Sequence, residues 1–303
     1  MSVLANLQSR REPNLFAALE LIKPITWFPP MWAYACGAIS AGVELSSQLW
    51  FVAMGIFLAG PVVCGMSQAA NDWCDRHVDS INQPERPIPS GRVPGKWGLW
   101  IALGMSVISL IIGYQLGVWG FVATIVAVGA AWAYSAEPLR LKKSGWWGPG
   151  IVALCYEGLP WFTGAAVISG ALPSLEIIAI AFLYATGAHG IMTLNDFKAL
   201  KGDRETGVRS LPVTLGTQKA AFLACVTMTL PQFCVIILLY IWLGPSIYGI
   251  LVSTLLIGQI WAMRILISNP KEKAPWYNAT GVMMYVSGMM ISAFALRTLE
   301  AAL

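Results

Sequence analysis

Charge is scarce in this chain. Of its 303 residues, 11% are Asp, Glu, Lys or Arg and 57% are hydrophobic. A soluble domain carries about 25% charged residues, so the shortage excludes a soluble globular domain. Metal-binding cysteine patterns are also missing. The six cysteines, Cys36, Cys64, Cys74, Cys155, Cys225 and Cys234, show no CxxC or zinc spacing and read as buried thiols. No GxxxxGK[ST] segment occurs, which excludes a nucleotide-type phosphate cradle. Residues 1–22 are polar and charged ahead of the first apolar run, so no cleavable leader is expected and that run serves as the first anchor. The net charge of +4 comes from basic residues spread over many loops, a pattern that excludes a nucleic-acid role.

Apolar length is what the chain has in abundance. Stretches able to cross about 30 Å of hydrocarbon occur at roughly 21–41, 50–70, 97–116, 118–136, 150–169, 174–193, 218–242, 245–267 and 277–298. The third and fourth are separated only by a tight turn at Gly117. We therefore expect an all-α polytopic membrane protein, a single transmembrane domain over residues 1–303 with about nine helices around a central cavity. Pro24, Pro29, Pro30, Pro61, Pro160 and Pro231 interrupt the spans, and in lipid such breaks go with bent helices around a cavity.

If the spans alternate, Arg10, Arg11 and Lys23 share a side with every other basic residue except Arg297, out of 19 Lys and Arg in all. The positive-inside rule then places the N-terminus and the long loops, 71–96, 137–149, 194–217 and 268–276, in the cytoplasm. The expected location is the inner membrane, cytoplasmic or intracytoplasmic, with lipid on all sides.

Against this background the segment NDWCDRHVDS at 71–80 is anomalous. Charge at the edge of hydrocarbon is penalised by about 2.5–3.5 kcal/mol per residue on insertion scales, so acids there have a partner and a job. The segment also repeats. At a shift of about 124 residues, Asn71-Asp72, Asp79 and Arg86 with Pro89 find counterparts in Asn195-Asp196, Asp203 and Arg209 with Pro212. On a helix Asp72, Asp75 and Asp79 fall within about 60° of one another and form one stripe, extended by Gln68. Asp196 and Asp203 align in the same way if the sixth helix continues to Asp203. Five carboxylates are then expected at one cytoplasmic mouth.

Three kinds of cation compete to neutralise them. They are ion pairs with Arg76, Arg86, Lys198, Lys201 and Arg204, hard divalent metal ions, or transported protons and sodium. Mg²⁺, with Mn²⁺ as the alternative, suits the whole set. It takes oxygens from one or two carboxylates and completes its shell with water and substrate phosphates. A diphosphate bridging such metals would be clasped by Arg86, Lys198, Lys201 and Arg204.

These residues carry a family resemblance. NDWCDRHVDSINQPERPIPSG and NDFKALKGDRETGVRSLPVTLG resemble the two aspartate motifs of the UbiA superfamily of intramembrane prenyltransferases. LIKPITWFPPMWAYACG, AYSAEPLRLKKSGWWG and YEGLPWFTGAA are similar to segments of its chlorophyll and bacteriochlorophyll synthase branch, the wording of the first and last being nearer the bacteriochlorophyll side. The resemblance spans nearly the whole chain and implies the nine-helix fold. It implies esterification of the propionate of a chlorophyllide or bacteriochlorophyllide by a geranylgeranyl or phytyl group, taken from its diphosphate.

It further implies that Asp72, Asp75, Asp79, Asp196 and Asp203 are catalytic metal ligands, although the second motif is longer here than in many members. Asn71 and Asn195 are then polar neighbours of the metal, and Tyr134 and Arg140 border the diphosphate. His189, seven residues before Asp196, is either a tetrapyrrole contact or a hydrogen-bonded core histidine. Glu157 is a second intramembrane candidate for the pigment, or a partner of another helix. The alternative functions are the same transfer to 4-hydroxybenzoate, homogentisate or haem, and an ion-coupled transporter.

Overall fold

The computed structural model describes residues 12–301; Arg10 and Arg11 lie outside them. The described chain is helical, with one isolated bridge between Ser144 and Arg209. The helices are α1 Leu15–Leu21, α2 Phe28–Ser40, α3 Leu49–Asn82, α4 Trp97–Gln115, α5 Gly117–Ser135, α6 Trp147–Ser169 and α7 Leu175–Asn195. They continue with α8 Leu200–Thr206, α9 Leu211–Leu215, α10 Thr217–Leu243, α11 Ile247–Ser268 and α12 Pro270–Glu300. Eight of them, α3 to α7 and α10 to α12, are long and apolar enough to cross a membrane. The protein is an integral multi-pass membrane protein.

The first expected span is built differently from the others. It is divided into α1, a 3₁₀ turn at Pro24–Thr26 and the 13-residue α2. Proline lacks the amide hydrogen and clashes with the carbonyl four residues back, so Pro24 at the start of the turn and Pro29-Pro30 at the start of α2 prevent one continuous helix. In α3 and α6 the prolines are absorbed instead by wide π turns, Leu58–Cys64 around Pro61 and Leu154–Gly158 just before Pro160. Between α4 and α5 the chain reverses at Gly117, whose φ of +82° is a left-handed backbone that glycine adopts without penalty.

The chain divides into two compact units. Among the described residues, one comprises 12–31 and 53–141, the other 32–52 and 142–301. In the first, α1 lies on the second half of α3, which packs against α4 and α5. Leu21, Met66, Ala69, Ala70, Val93 and Ala102 form its core. Glu20 on α1 and Arg92 in the following loop make a two-armed ion pair, Nη2 to Oε1 at 2.9 Å and Nη1 to Oε2. This pair fastens α1 to the loop.

The core of the second unit is centred on α7, which packs along α10, while α11 packs along α12. Trp161, Tyr184, Met228, Leu239 and Tyr285 are fully buried there. The polar tips of Tyr184, Tyr285, Gln232 and Gln259 are satisfied. Tyr285 donates to the Tyr184 carbonyl at 2.5 Å, Tyr184 shares a hydrogen bond with Ser292 at 3.0 Å, and the Gln232 and Gln259 amides pair reciprocally at 3.0 and 2.8 Å. Hydrogen bonds of this kind between membrane helices contribute about 0.6 kcal/mol on average. α2 and α6 approach backbone to backbone: a methyl at Gly37 would collide with the Trp161 carbonyl, and one at Gly164 with the Tyr34 carbonyl.

Candidate active site

In the first unit, α3 runs unbroken to Asn82 and presents Asp72, Asp75 and Asp79 along one stripe, as the spacing requires. Asp72 and Asp79 are 1% and 6% exposed. Carboxylates so placed need cations or donors, and three cations supply the need. Lys23 Nζ lies 2.6 Å from Asp72 Oδ1. Arg86 Nη1 is 2.7 Å from Asp79 Oδ2 and 3.4 Å from Asp72 Oδ1. Arg140 Nη2 donates to Asp75 Oδ1 at 3.0 Å.

Asp72 Oδ2 is buried without a hydrogen-bond partner, and so is Arg140 Nε. The Asn71 amide donates to Ser135 Oγ at 3.3 Å, which ties the motif to the end of α5 beside Tyr134. Arg76 does not join the carboxylates. Its guanidinium lies 4.2 Å from the centroid of the Trp73 ring and donates to the Trp73 carbonyl at 2.8 Å.

Two of the three cations have unusual backbones. Lys23 has φ +45° and Arg140 φ +36°, the non-glycine residues with positive φ among those described. Such conformations cost about 1–3 kcal/mol each and persist where the surroundings over-determine them.

In the second unit the expected continuation of the helix to Asp203 does not occur. α7 stops at Asn195, residues Asp196–Lys198 form a 3₁₀ turn, and α8 starts afresh at Leu200. Phe197 in this turn is 2% exposed while Lys198 and Ala199 are exposed. Asp203 is held separately: its Oδ2 accepts from Ser210 at 2.6 Å. Burial pushes the Asp203 carboxyl above its ordinary value, and the Ser210 hydrogen bond draws it partly back. Asn195 Oδ1 accepts from the Asn278 amide of α12 at 2.9 Å, leaving Asn278 Oδ1 buried without a partner. Lys198, Lys201 and Arg204 are exposed.

The loop after α5 is strapped to this motif. Arg209 donates its amide to the Lys143 carbonyl and accepts from Gly145, each at 2.9 Å. A side chain at position 145 would meet Leu211 N at 2.6 Å and Arg209 O at 2.7 Å, so only glycine permits the strap. His189 Nε2 lies 3.2 Å from the Trp146 carbonyl, with its ring 5.4 Å from the indole. A hydrogen-bonded histidine is therefore what the structure contains. Glu157 is 2% exposed within the π turn of α6, with Oε2 unpartnered.

Among the described residues no three His, Cys, Asp or Glu side chains are grouped to hold a metal ion by themselves. A closed protein cage of the zinc or calcium kind is thus not what these residues build. A hard ion that keeps its waters and takes one or two carboxylates fits, because Asp72 offers a buried carboxylate oxygen with nothing bound to it.

Lys23, Gly145, Ser210 and Asn278 were not expected at the site from sequence. A lysine directly before proline at a membrane border, and an asparagine inside an apolar span, are the signals that could have found Lys23 and Asn278.

Known proteins resemble the chain along its length. The model of the UbiA prenyltransferase family matches residues 26–288. The bacteriochlorophyll synthase 33 kDa chain of Cereibacter sphaeroides is 62% identical over 300 residues, covering 99% of each chain. The chloroplastic chlorophyll synthase of Arabidopsis thaliana is 32% identical, covering 91% of this chain and 73% of that one. Among solved structures, a UbiA homolog from Archaeoglobus fulgidus bound to DMAPP and Mg2+ superposes with a TM-score of 0.69 at 19% identity, over 93% of this chain and 99% of that one. At that identity the likeness carries the fold.

Proposed function

The chain belongs to the UbiA prenyltransferase family, and from that premise we propose that it performs the bacteriochlorophyll synthase reaction. It esterifies the propionate of bacteriochlorophyllide or chlorophyllide with a geranylgeranyl or phytyl group from its diphosphate, and diphosphate is released. The choice of acceptor rests on the 62% identity to the Cereibacter sphaeroides chain. The observation that carries the chemistry is Asp72, a nearly inaccessible carboxylate with one oxygen clasped by cations and the other unpartnered.

The reaction needs no general base, because a propionate is already ionised at neutral pH. A carboxylate oxygen bonds to C1 of the prenyl group as the bond from C1 to the diphosphate oxygen breaks, and its electron pair leaves with diphosphate. Magnesium, when bound, supplies Lewis-acid charge to the diphosphate oxygens. Asp72, Asp75 and Asp79 would hold it at the first motif, and Asp196 and Asp203 would do so at the second. Arg86, Arg140 and Tyr134 at the first motif, and Lys198, Lys201 and Arg204 at the second, would bind diphosphate and offset charge on it as it leaves. Asn71 is fixed by Ser135 and Asn195 by Asn278, so both amides are aimed before substrate arrives. His189 with Trp146, and Glu157, serve the pigment. The N-terminus and the loops bearing both motifs face the cytoplasm.

Reconstitution of the full chain in vesicles tests this reading. Geranylgeranyl diphosphate, Mg²⁺ and bacteriochlorophyllide should give pigment ester and diphosphate in equal amounts. Cation uptake without diphosphate release would instead make the protein a transporter.

A further inference from the structure

We propose that Lys23 and Arg140 are built-in counter-ions that occupy the first acidic helix end in the absence of metal and withdraw from it when metal binds. The proposal rests on reading Asp72, Asp75 and Asp79 as metal ligands. Its starting point is that two independent properties fall on the same residues. Among the described residues, Lys23 and Arg140 are the non-glycine positions in left-handed backbone. Both are also cations in ion pairs with this one helix end, Lys23 on Asp72 at 2.6 Å and Arg140 on Asp75 at 3.0 Å. A side chain in that region crowds the neighbouring carbonyl, and an outlier of this kind is a reason to look for function.

The electrostatics supply the function. Asp72 is 1% exposed, and a carboxylate so buried does not stand without a cation. In a metal-free protein that cation must come from the chain. Lys23, Arg86 and Arg140 bring three positive charges to the three aspartates, Arg140 being shared with Glu137 at 3.3 Å, so a divalent ion arriving there meets a set already largely neutralised. Positive charge has to leave before it can bind.

The backbone marks which charges leave. Lys23 and Arg140 are strained where they stand, and releasing them relaxes the chain. Arg86 is not among the positive-φ residues, bridges Asp72 and Asp79, and stays. Asp72 Oδ2, buried and unpartnered, is the first oxygen open to the incoming ion. Once released, the two cations are available to the diphosphate that follows.

Amine labelling of the unmodified full chain, purified in detergent, tests this without substrate. An acylating reagent is applied with and without MgCl₂ at matched ionic strength, and each lysine is followed by mass spectrometry. Lys23 should label several-fold more in Mg²⁺, with exposed Lys96 unchanged; equal or lower labelling of Lys23 overturns the proposal. Binding of Mn²⁺ alone, followed by electron paramagnetic resonance, gives a second measurement. Lys23→Met should bind the ion about tenfold more tightly, the worth of one charge-assisted hydrogen bond, and Lys23→Arg should resemble the natural chain. If Asp72→Asn abolishes Mn²⁺ binding while Lys23→Met binds no more tightly, the counter-ions are refuted and the metal ligands stand. If Asp72→Asn binds the ion as before, both fall.

Discussion

The side-chain amide of Asn278 donates to Oδ1 of Asn195 across 2.9 Å, so α12 fixes the residue directly before Asp196. Asn278→Leu removes the donor and leaves Asn195 unoriented. We expect ester formation to fall at least tenfold in kcat/KM, with a stability loss of about 1–3 kcal/mol for the unsatisfied group. Steady-state esterification and thermal unfolding in detergent check the two effects separately.

Asp72→Ala removes a carboxylate that three observations single out: its burial, its two cations and its unpartnered oxygen. Esterification should drop on the order of a hundredfold or more, the scale for losing one electrostatic contributor to a leaving-group site. Chelation of the natural chain should abolish turnover, and added Mg²⁺ should restore it. Full activity in EDTA would contradict the assignment.

Gly37 and Gly164 let α2 and α6 touch along their backbones. Gly37→Val should destabilise the second unit by about 1–3 kcal/mol, the usual cost of overpacking. The check is its unfolding temperature beside that of Gly129→Val, where no neighbour lies within 4 Å. Equal temperatures would show that the close crossing is unimportant.

The pair of Glu20 and Arg92 makes a pH prediction. The hydrogen bond from Arg92 holds the Glu20 carboxyl below its ordinary 4.5, against a smaller opposing effect of burial. A depressed value means the charged form stabilises the folded state. That contribution is present above about 4.5 and is lost as pH falls through the depressed value. Because the Arg92 and Glu20 side chains are 34% and 51% exposed, it amounts to less than about 1 kcal/mol. The gap in melting temperature between the natural chain and Glu20→Gln should be small at pH 7 and close in acid; a gap that widens in acid would contradict the assignment.

Much of this was legible in the sequence because it depends on local pattern. Apolar length located α3 to α7 and α10 to α12, and spacing alone set Asp72, Asp75 and Asp79 on one stripe. What stayed hidden depends on distant partners. Lys23 reaches Asp72 over a separation of 49 residues, and Arg140 reaches Asp75 over 65. Neither pairing leaves a trace in local composition. The break after Asn195 was legible only in part: the repeat suggested two equal helices and Gly202 alone argued against it, while the second gives way to a 3₁₀ turn in which Phe197 is buried. The division of the first span into α1, a turn and α2 was legible in part, since Pro24, Pro29 and Pro30 were visible and only their combined effect was not.

The acceptor decides the central claim. Purified chain with geranylgeranyl diphosphate and Mg²⁺ is given bacteriochlorophyllide and 4-hydroxybenzoate in one mixture, and products are separated by chromatography. Esterified pigment should accumulate and prenylated benzoate should be absent. Prenylated benzoate with no pigment ester would contradict the assigned function.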